Sequence, residues 1–326
     1  MRYFLRRLGF YLFTLWGAIT LNFVLPRLIP GNPAESFLVR MQGQVQDPRV
    51  MQALMIDFGV NNDPLWKQYL EYLANLFHGN LGLSISHFPT PVSEVIAECL
   101  PWTIVLVGIS TIISFILGIT LGIVFAWKRG SWLDRGLMPT LLFFAALPSF
   151  WVALVILYFL AFQLGWFPLQ GGYDTSLTIG LSWDFISSVA YYAFLPAISI
   201  VLFSYAGWVL GMRNLMILNL KEDYIVMAEA KGLPERQVMF SYAARNAMLP
   251  TVTGIALALG SVVGGSVLIE NIFSYPGMGA EFVKAIGNLD YASIQGFSMF
   301  IILATLIANF IVDLLYIVID PRVRRA

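Results

Sequence analysis

Charge is scarce in this chain. Only 12% of its 326 residues are charged, whereas 58% are hydrophobic. This is more apolar surface than a soluble domain of this size can bury in a core. Basic and acidic residues number 19 each, and the sequence indicates no basic surface for nucleic acid. The composition therefore predicts a membrane protein that crosses the bilayer several times.

Residues that bind metals or form disulfides are also rare. Cys99 is the single cysteine, which excludes an intrachain disulfide and a cluster of thiolate ligands. The two histidines, His78 and His87, lack an acidic residue or a third histidine that would complete a ligand set. We predict no metal site and no cofactor bound by this chain.

Several enzyme motifs are missing. The phosphate-binding motif G-x-x-x-x-G-K-[ST] is excluded because the dipeptide Gly-Lys does not occur. The sequence also lacks the G-x-S-x-G and H-E-x-x-H motifs of hydrolases. We therefore predict that the chain is not itself an enzyme and has no catalytic residues.

The sequence has instead long runs without charge. The first run follows Arg2, Arg6 and Arg7 and lacks a small-residue cleavage pattern, so it is interpreted as an uncleaved span and not as a signal peptide. Each run is long enough to cross a hydrocarbon core of about 30 Å as a helix. The predicted fold is an all-α membrane protein with six transmembrane helices: Leu8–Pro26, Cys99–Trp127, Gly136–Phe162, Phe185–Met212, Asn246–Ile269 and Tyr291–Val312.

The basic residues set the orientation of these spans. With Met1 in the cytoplasm, the inside segments contain 14 of the 19 lysines and arginines, as the positive-inside rule requires. The outside segments contain the other five: Arg27, Arg40, Arg49, Lys67 and Lys284. Both termini are therefore predicted to be cytoplasmic.

Glycines four residues apart favour close packing of helices. Three such pairs lie within the spans: Gly118 and Gly122, Gly207 and Gly211, Gly260 and Gly264. They are consistent with a tight bundle and with pairing of subunits.

The polar stretch Asp223–Pro250 lies between the fourth and fifth spans, on the cytoplasmic side. Its first part has helical composition and reaches Gly232, a residue type that favours the left-handed turn at a helix end. Pro234 fits the first turn of a second helix, which Pro250 is predicted to break or kink. The stretch predicts an elbow of two short helices. Small residues at this elbow favour docking of a partner over catalysis: Ala228, Ala230 and Gly232.

This elbow resembles a known motif. The run Ala228–Leu233, followed by Arg245-Asn246-Ala247 and Leu249-Pro250, is similar to the EAA loop of binding-protein-dependent ABC importers, in the variant of the oligopeptide and dipeptide permeases. Val226 stands where the wider superfamily usually has the glutamate of the loop. Other segments resemble the B-type permease subunit of that family, in order and over nearly the whole length: MRYFLRRLGF at the start, Ile29–Pro33, His78–Ser84, Ile272–Gly279 and Val312–Arg324.

The resemblance implies a type I ABC importer permease that forms half of a translocation path for peptides. It implies a heterodimer with a second homologous permease subunit, cytoplasmic ABC ATPase subunits that bind ATP and Mg, an extracytoplasmic substrate-binding protein and contact with membrane lipid. The implied location is the bacterial or archaeal cell (inner) membrane. Within the coupling loop 213–250, it assigns contact with the ATPases to Ala228, Glu229, Ala230, Lys231, Gly232, Leu233, Arg236, Arg245 and Asn246. Oligosaccharides and nickel chelates are alternative substrates for the same machinery.

The first outside segment, residues 29–98, separates the first span (residues 1–28) from a five-helix core (residues 99–326). Asp47–Phe58 and Pro64–Phe77 have the spacing of amphipathic helices and predict an ordered extracytoplasmic cap. The cap either rests on the bundle and the membrane interface or contacts the protein that delivers the substrate.

A second outside segment joins the fifth and sixth spans. Its glycines and proline favour a tight turn followed by a short helix. By resemblance, an extracytoplasmic gate or a contact with the binding protein is expected at Tyr275, Pro276, Gly277 and Gly279. A plain surface loop is the alternative.

Asp313 is the one acid well inside an apolar run. We predict that it is structural and either hydrated or paired with a basic residue near the cytoplasmic interface. The alternative is proton coupling, since carboxylates within membranes often mark ion pathways. Asp313 is the single feature that favours a proton-coupled secondary transporter.

Overall fold

The structure is a computed structural model that describes residues 2–30 and 63–319. The predicted helix Asp47–Phe58 lies outside these residues. The helices are α1 (Arg2–Leu28), α2 (Leu65–Phe77), α3 (Val92–Trp127), α4 (Trp132–Ala146), α5 (Ser149–Ile156), α6 (Trp183–Asn219), α7 (Asp223–Ala230), α8 (Glu235–Gln237), α9 (Arg245–Ser261), α10 (Val267–Ile272), α11 (Met278–Gly287) and α12 (Tyr291–Ile319). π-Helical turns extend α5 and join α8 to α9: Leu157–Gln163 and Val238–Ala244.

The described part of the chain contains several helices of membrane-spanning length and composition. Five qualify singly: Arg6–Leu28, Val92–Trp127, Trp183–Asn219, Glu235–Gly264 and Tyr291–Asp313. A sixth span exists if the bent pair Asp134–Ala146 and Ser149–Gln163 is counted as one. The prediction of an all-helical protein with several spans is therefore confirmed for these residues.

The predicted third span is not one straight helix. Its two halves meet at an angle of 101°. Leu147 has an extended backbone, with φ −76° and ψ 137°, and Pro148 precedes α5. Proline lacks an N–H and disfavours helical geometry in the residue before it, which favours a break at this position. The second span also differs from the prediction, since α3 begins at Val92 and not at Cys99.

The chain folds as two compact units. The first comprises Met1–Thr103, Val263–Val267 and Pro276–Ala326, and the second comprises Ile104–Val262 and Leu268–Tyr275. In the first unit α1 packs along α12, and in the second unit α6 packs against α4, α5 and α9. Each unit thus has a long span that packs against at least one other helix.

Within the second unit, glycines bring α3 and α6 close together. A Cβ atom at Gly118 would lie 2.3 Å from the Cβ atom of Trp208, and one at Gly122 would lie 2.7 Å from that of Met212. These glycines therefore have the close-packing role that their spacing predicts. By contrast, a Cβ atom at Gly207 or Gly211 would meet no atom within 4 Å.

Candidate ATPase-coupling site

The backbone forms a sharp corner at Gly232. Its φ of 72° is left-handed, and its N–H donates to the carbonyl of Glu229 at 2.8 Å. Such a φ is strained for residues with a Cβ atom, so glycine suits the end of α7. Pro234 then precedes α8, and its carbonyl accepts a hydrogen bond from the N–H of Gln237 at 2.8 Å. The two helices are therefore joined within a few residues.

The inner side of this elbow is packed on the chain itself. Ile225 and Ala228 on α7 are each 2% exposed. They belong to one cluster with buried residues of the next helix and of two spans: Val238, Ala243, Ala244, Ala247, Met212, Met216, Ile119, Ile123 and Ala126. Ala228 was expected on the surface that meets a partner. It faces the core instead, because it lies three residues after Ile225 and so on the same side of the helix.

The outer side of α7 is apolar at its centre. Val226 and Met227 are each 58% exposed, and Ala230 is exposed one turn after Val226. Glu229 and Lys231 are exposed beside them. We call Val226, Met227 and Ala230 the α7 patch. An apolar centre with a charged rim is typical of a protein contact surface.

Met227 was missed as a candidate by the sequence analysis. Ile225 and Ala228 are the buried residues of α7, and their positions show which side of the helix faces outward. Reading the helix period from that pair places Val226, Met227 and Ala230 together.

The second helix of the elbow is longer than predicted. It continues through the π-helical turn into α9 and runs past Pro250 to Ser261. Pro250 was predicted to break or kink this helix, and the structure shows no break there, since α9 continues through Pro250 as membrane helices can.

The outer surface of this second helix is mixed in polarity, since Phe240 and Leu249 are exposed together with polar residues. Arg245 and Asn246 are exposed there. They line a cavity of about 620 Å³ together with Gln237, Ser241, Tyr242 and Leu249. Arg245 and Asn246 therefore lie on a different helix from the α7 patch.

A hydrogen bond connects the elbow to the end of α3. The indole N–H of Trp127 donates to the Glu235 carboxylate at the start of α8. A cavity of about 280 Å³ adjoins this bond, and Arg236 and Lys128 are among its lining residues. The predicted coupling residue Arg236 is therefore an exposed cation beside an anchored carboxylate.

A second polar contact joins α4 to α6. The Arg213 guanidinium donates to both carboxylate oxygens of Asp134, from Nε and from Nη2, each at 3.2 Å. The Gly130 N–H donates to the same carboxylate at 3.0 Å. The sequence analysis missed this pair because its members are 79 residues apart and no local pattern relates them.

The residues expected at an extracytoplasmic gate are largely buried. In the second unit Tyr275 is fully buried, and its burial, with the nearby Glu270 charge, raises the pKa of Tyr275 far above its ordinary value. Its hydroxyl therefore stays protonated. In the first unit Gly277 and Gly279 are buried, and the Met278 N–H donates to the Thr103 hydroxyl at 2.8 Å. These positions do not form an exposed loop.

Asp313 is paired with a basic residue, which is one of the two environments expected from the sequence. The Arg7 guanidinium forms an ion pair with its carboxylate, and the Tyr11 hydroxyl donates to the same oxygen at 2.6 Å. The Asp313 side chain is 17% exposed and that of Arg7 is 41% exposed. The carboxylate thus ties α1 to α12.

Comparison with known proteins decides the family. Residues 118–325 match the family described as binding-protein-dependent transport system inner membrane component. The chain is 35% identical over 325 residues to the oligopeptide transport system permease protein AppB of Bacillus subtilis, with 98% of each chain covered. The chain belongs to this family.

Two further relatives support the assignment of this chain to the permease family. It is 34% identical over 333 residues to the di/tripeptide transport system permease protein DppB of Pseudomonas aeruginosa, covering 98% of this chain and 97% of that one. It is 36% identical over 324 residues to a putative peptide permease protein of Brucella suis, with 99% of each covered. The resemblance stated from the sequence motifs is confirmed, and the permease is a multi-pass membrane protein.

Proposed function

We propose that this permease forms half of the translocation path of a peptide-importing ABC transporter and transmits the work of ATP hydrolysis from partner subunits. The substrate class is supported by the relatives that are described as oligopeptide and di/tripeptide permeases over nearly their full length. Oligosaccharides and nickel chelates are the alternative cargo. These alternatives are favoured if an excess of unlabelled peptide does not reduce the uptake of the labelled substrate.

The proposed partners follow from the family and from what this chain lacks. It contains no phosphate-binding motif, so ATP and Mg are assigned to separate ATPase subunits. The family description names a binding protein, which supplies the substrate from outside. A second homologous permease completes the path as a heterodimer, and the distribution of basic residues supports cytoplasmic termini and a cytoplasmic elbow.

The α7 patch is the observation that carries the coupling role. It presents exposed apolar side chains on a short helix whose opposite side is buried in the chain's own core. A large exposed methionine and valine on a cytoplasmic surface favour contact with a protein. We therefore assign the docking of the ATPase to Val226, Met227 and Ala230, flanked by Glu229 and Lys231.

Proton coupling is less well supported. The proposal of a secondary transporter depended on Asp313, and that carboxylate has Arg7 and Tyr11 as partners. A paired acid of this kind is suited to holding two helices together. We retain the structural role for Asp313.

Ala230→Glu tests the coupling role. A long charged side chain at a buried contact costs about 2 kcal/mol or more, which weakens ATPase docking by about 30-fold. Ala230 is exposed in this chain, so membrane insertion and pairing with the second permease should survive. The measurements are co-purification of the ATPases and uptake of labelled peptide into vesicles that contain ATP.

Ala230→Ser is the matched control, because its small side chain should keep docking and uptake near the wild-type level. If Ala230→Glu also keeps both, the α7 patch is a solvated surface and the coupling assignment is wrong. Loss of the second permease from the complex would instead indicate a general folding defect. Co-purification of that subunit is therefore measured in parallel.

A further inference from the structure

Helix α2 is bonded to the C-terminal part of α1 by side chains. The hydroxyls of Thr20 and Tyr69 lie 2.8 Å apart, and the Asn22 amide donates to the Tyr72 hydroxyl at 3.1 Å. Further along, Arg27 Nε donates to the Gln68 side-chain oxygen at 3.2 Å. Because α1 ends at Leu28, these bonds lie within about 12 Å of its end at 1.5 Å of rise per residue.

This position places α2 beside the membrane. Residues 6–28 of α1 have the length and apolarity of a membrane span. The last turns of such a span lie near the boundary between hydrocarbon and headgroups. The exposed side chains of α1 at this level are apolar, including Leu21, Leu25 and Leu28, each more than half exposed. Helix α2 therefore lies at the same level as a surface that faces lipid.

Helix α2 has three sides: one faces α1, and the other two are exposed and differ in polarity. Trp66, Leu70 and Phe77 lie within about 40° of one another on the helix, at about 100° per residue. Their exposed fractions are 67%, 56% and 87%. Lys67 and Glu71 are also exposed and lie on a separate side. Tyr69 and Tyr72 occupy the third side, toward α1.

We propose that α2 is an interfacial helix whose Trp66, Leu70 and Phe77 insert into the lipid of the outer leaflet. Each of its three sides then has a matching environment: α1, lipid and water. Tyrosine and tryptophan are enriched at this level of membrane proteins. A helix with separate apolar and charged faces binds in the interface plane of a bilayer. The inference is independent of the substrate and of the ATPase contact.

Two spin labels one residue apart test the inference. Cysteines are introduced as Leu70→Cys or Glu71→Cys in a Cys99→Ala background, since Cys99 is the only native cysteine. Leu70 is 56% exposed and the Glu71 side chain is 49% exposed, so the two sites are matched in accessibility. The assembled transporter is reconstituted in nanodiscs of phosphatidylcholine and phosphatidylglycerol. Collision of each label with oxygen and with a water-soluble nickel chelate is then measured.

We expect the oxygen-to-nickel collision ratio at Leu70 to exceed that at Glu71 by at least about tenfold, since a tenfold ratio needs only about 1.4 kcal/mol of difference in partition. A label at Phe77→Cys should give the same collision ratio as the label at Leu70→Cys. It replaces that label if the Leu70→Cys variant does not assemble. Equal nickel accessibility at both sites overturns the proposal in favour of a face in water. Shielding of the Leu70 label from both reagents overturns it in favour of a protein partner.

Discussion

A single carboxylate, that of Asp313, accepts from Arg7 and Tyr11 on another helix. Asparagine retains an acceptor at this site but loses the charge. The Arg7 side chain is 41% exposed, so the stability cost of Asp313→Asn should be about 1 kcal/mol. We expect ATP-driven peptide uptake to fall by no more than about fivefold, the factor to which about 1 kcal/mol corresponds.

Arg7→Gln and the double variant complete the test of Asp313. If the ion pair is the main function of both residues, their effects on thermal stability should be less than additive. Complete loss of uptake by Asp313→Asn in a normally assembled complex would contradict the structural role. That result would instead favour proton coupling through Asp313.

Some of these residue roles were predictable from the sequence and others were not. The turn at Gly232 and the restart at Pro234 follow from local backbone chemistry, so the sequence indicates them directly. A structural role for Asp313, either hydrated or paired with a basic residue, was also expected. That the partner is Arg7 was not, because the two residues are 306 positions apart and meet only through helix packing.

At the scale of elements, the crossing of α3 and α6 depends on Gly118. A Cβ atom there would lie 2.3 Å from the Trp208 Cβ and 3.0 Å from the Tyr205 carbonyl oxygen. Neither atom is the mobile end of a side chain, so the helices must separate. We expect Gly118→Ala to destabilise the protein by about 1–3 kcal/mol, the usual cost of overpacking.

The matched control is Gly207→Ala on α6, where an added Cβ meets no atom within 4 Å. Alanine favours helix over glycine by about 1 kcal/mol, so this variant should be neutral or more stable. Thermal unfolding of the purified chain in detergent compares the two. Equal melting temperatures would show that α3 and α6 do not make this contact in the folded protein.

Prolines show where prediction of elements stops. Pro148 separates α4 from α5 with a bend of 101°, whereas Pro101, Pro196 and Pro250 lie within continuous helices. All four prolines lack a backbone N–H, so the missing hydrogen bond alone does not distinguish the broken helix from the continuous ones. Whether a helix breaks depends on tertiary contacts and neighbouring hydrogen bonds, which the sequence alone does not give.

At the scale of the whole molecule, the orientation can be tested with lysines. In sealed cells, a membrane-impermeant amine reagent should label Lys67 and Lys284, whose side chains are 49% and 46% exposed. Lys221 and Lys231 should react only after the membrane is opened. Hydrogen bonding to Asp63 raises the pKa of Lys67, so its amine is less often neutral and should react more slowly than that of an unpaired lysine.

Arginine variants of each labelled lysine identify the peptides by mass spectrometry and serve as controls. Labelling of Lys231 in sealed cells would contradict the predicted orientation. It would also remove the elbow from the compartment in which ATPases operate.

Buried alanines beneath the elbow restrict its movement relative to α6. Ala243, Ala244 and Ala247 are at most 1% exposed, and they pack with Met212 and Met216 of α6. Close-packed interiors transmit displacement because they have few rotamers and voids to absorb it. If the α7 patch has the coupling role proposed above, a force applied to it would therefore be passed through this packed core to α6, which has the length and composition of a membrane span.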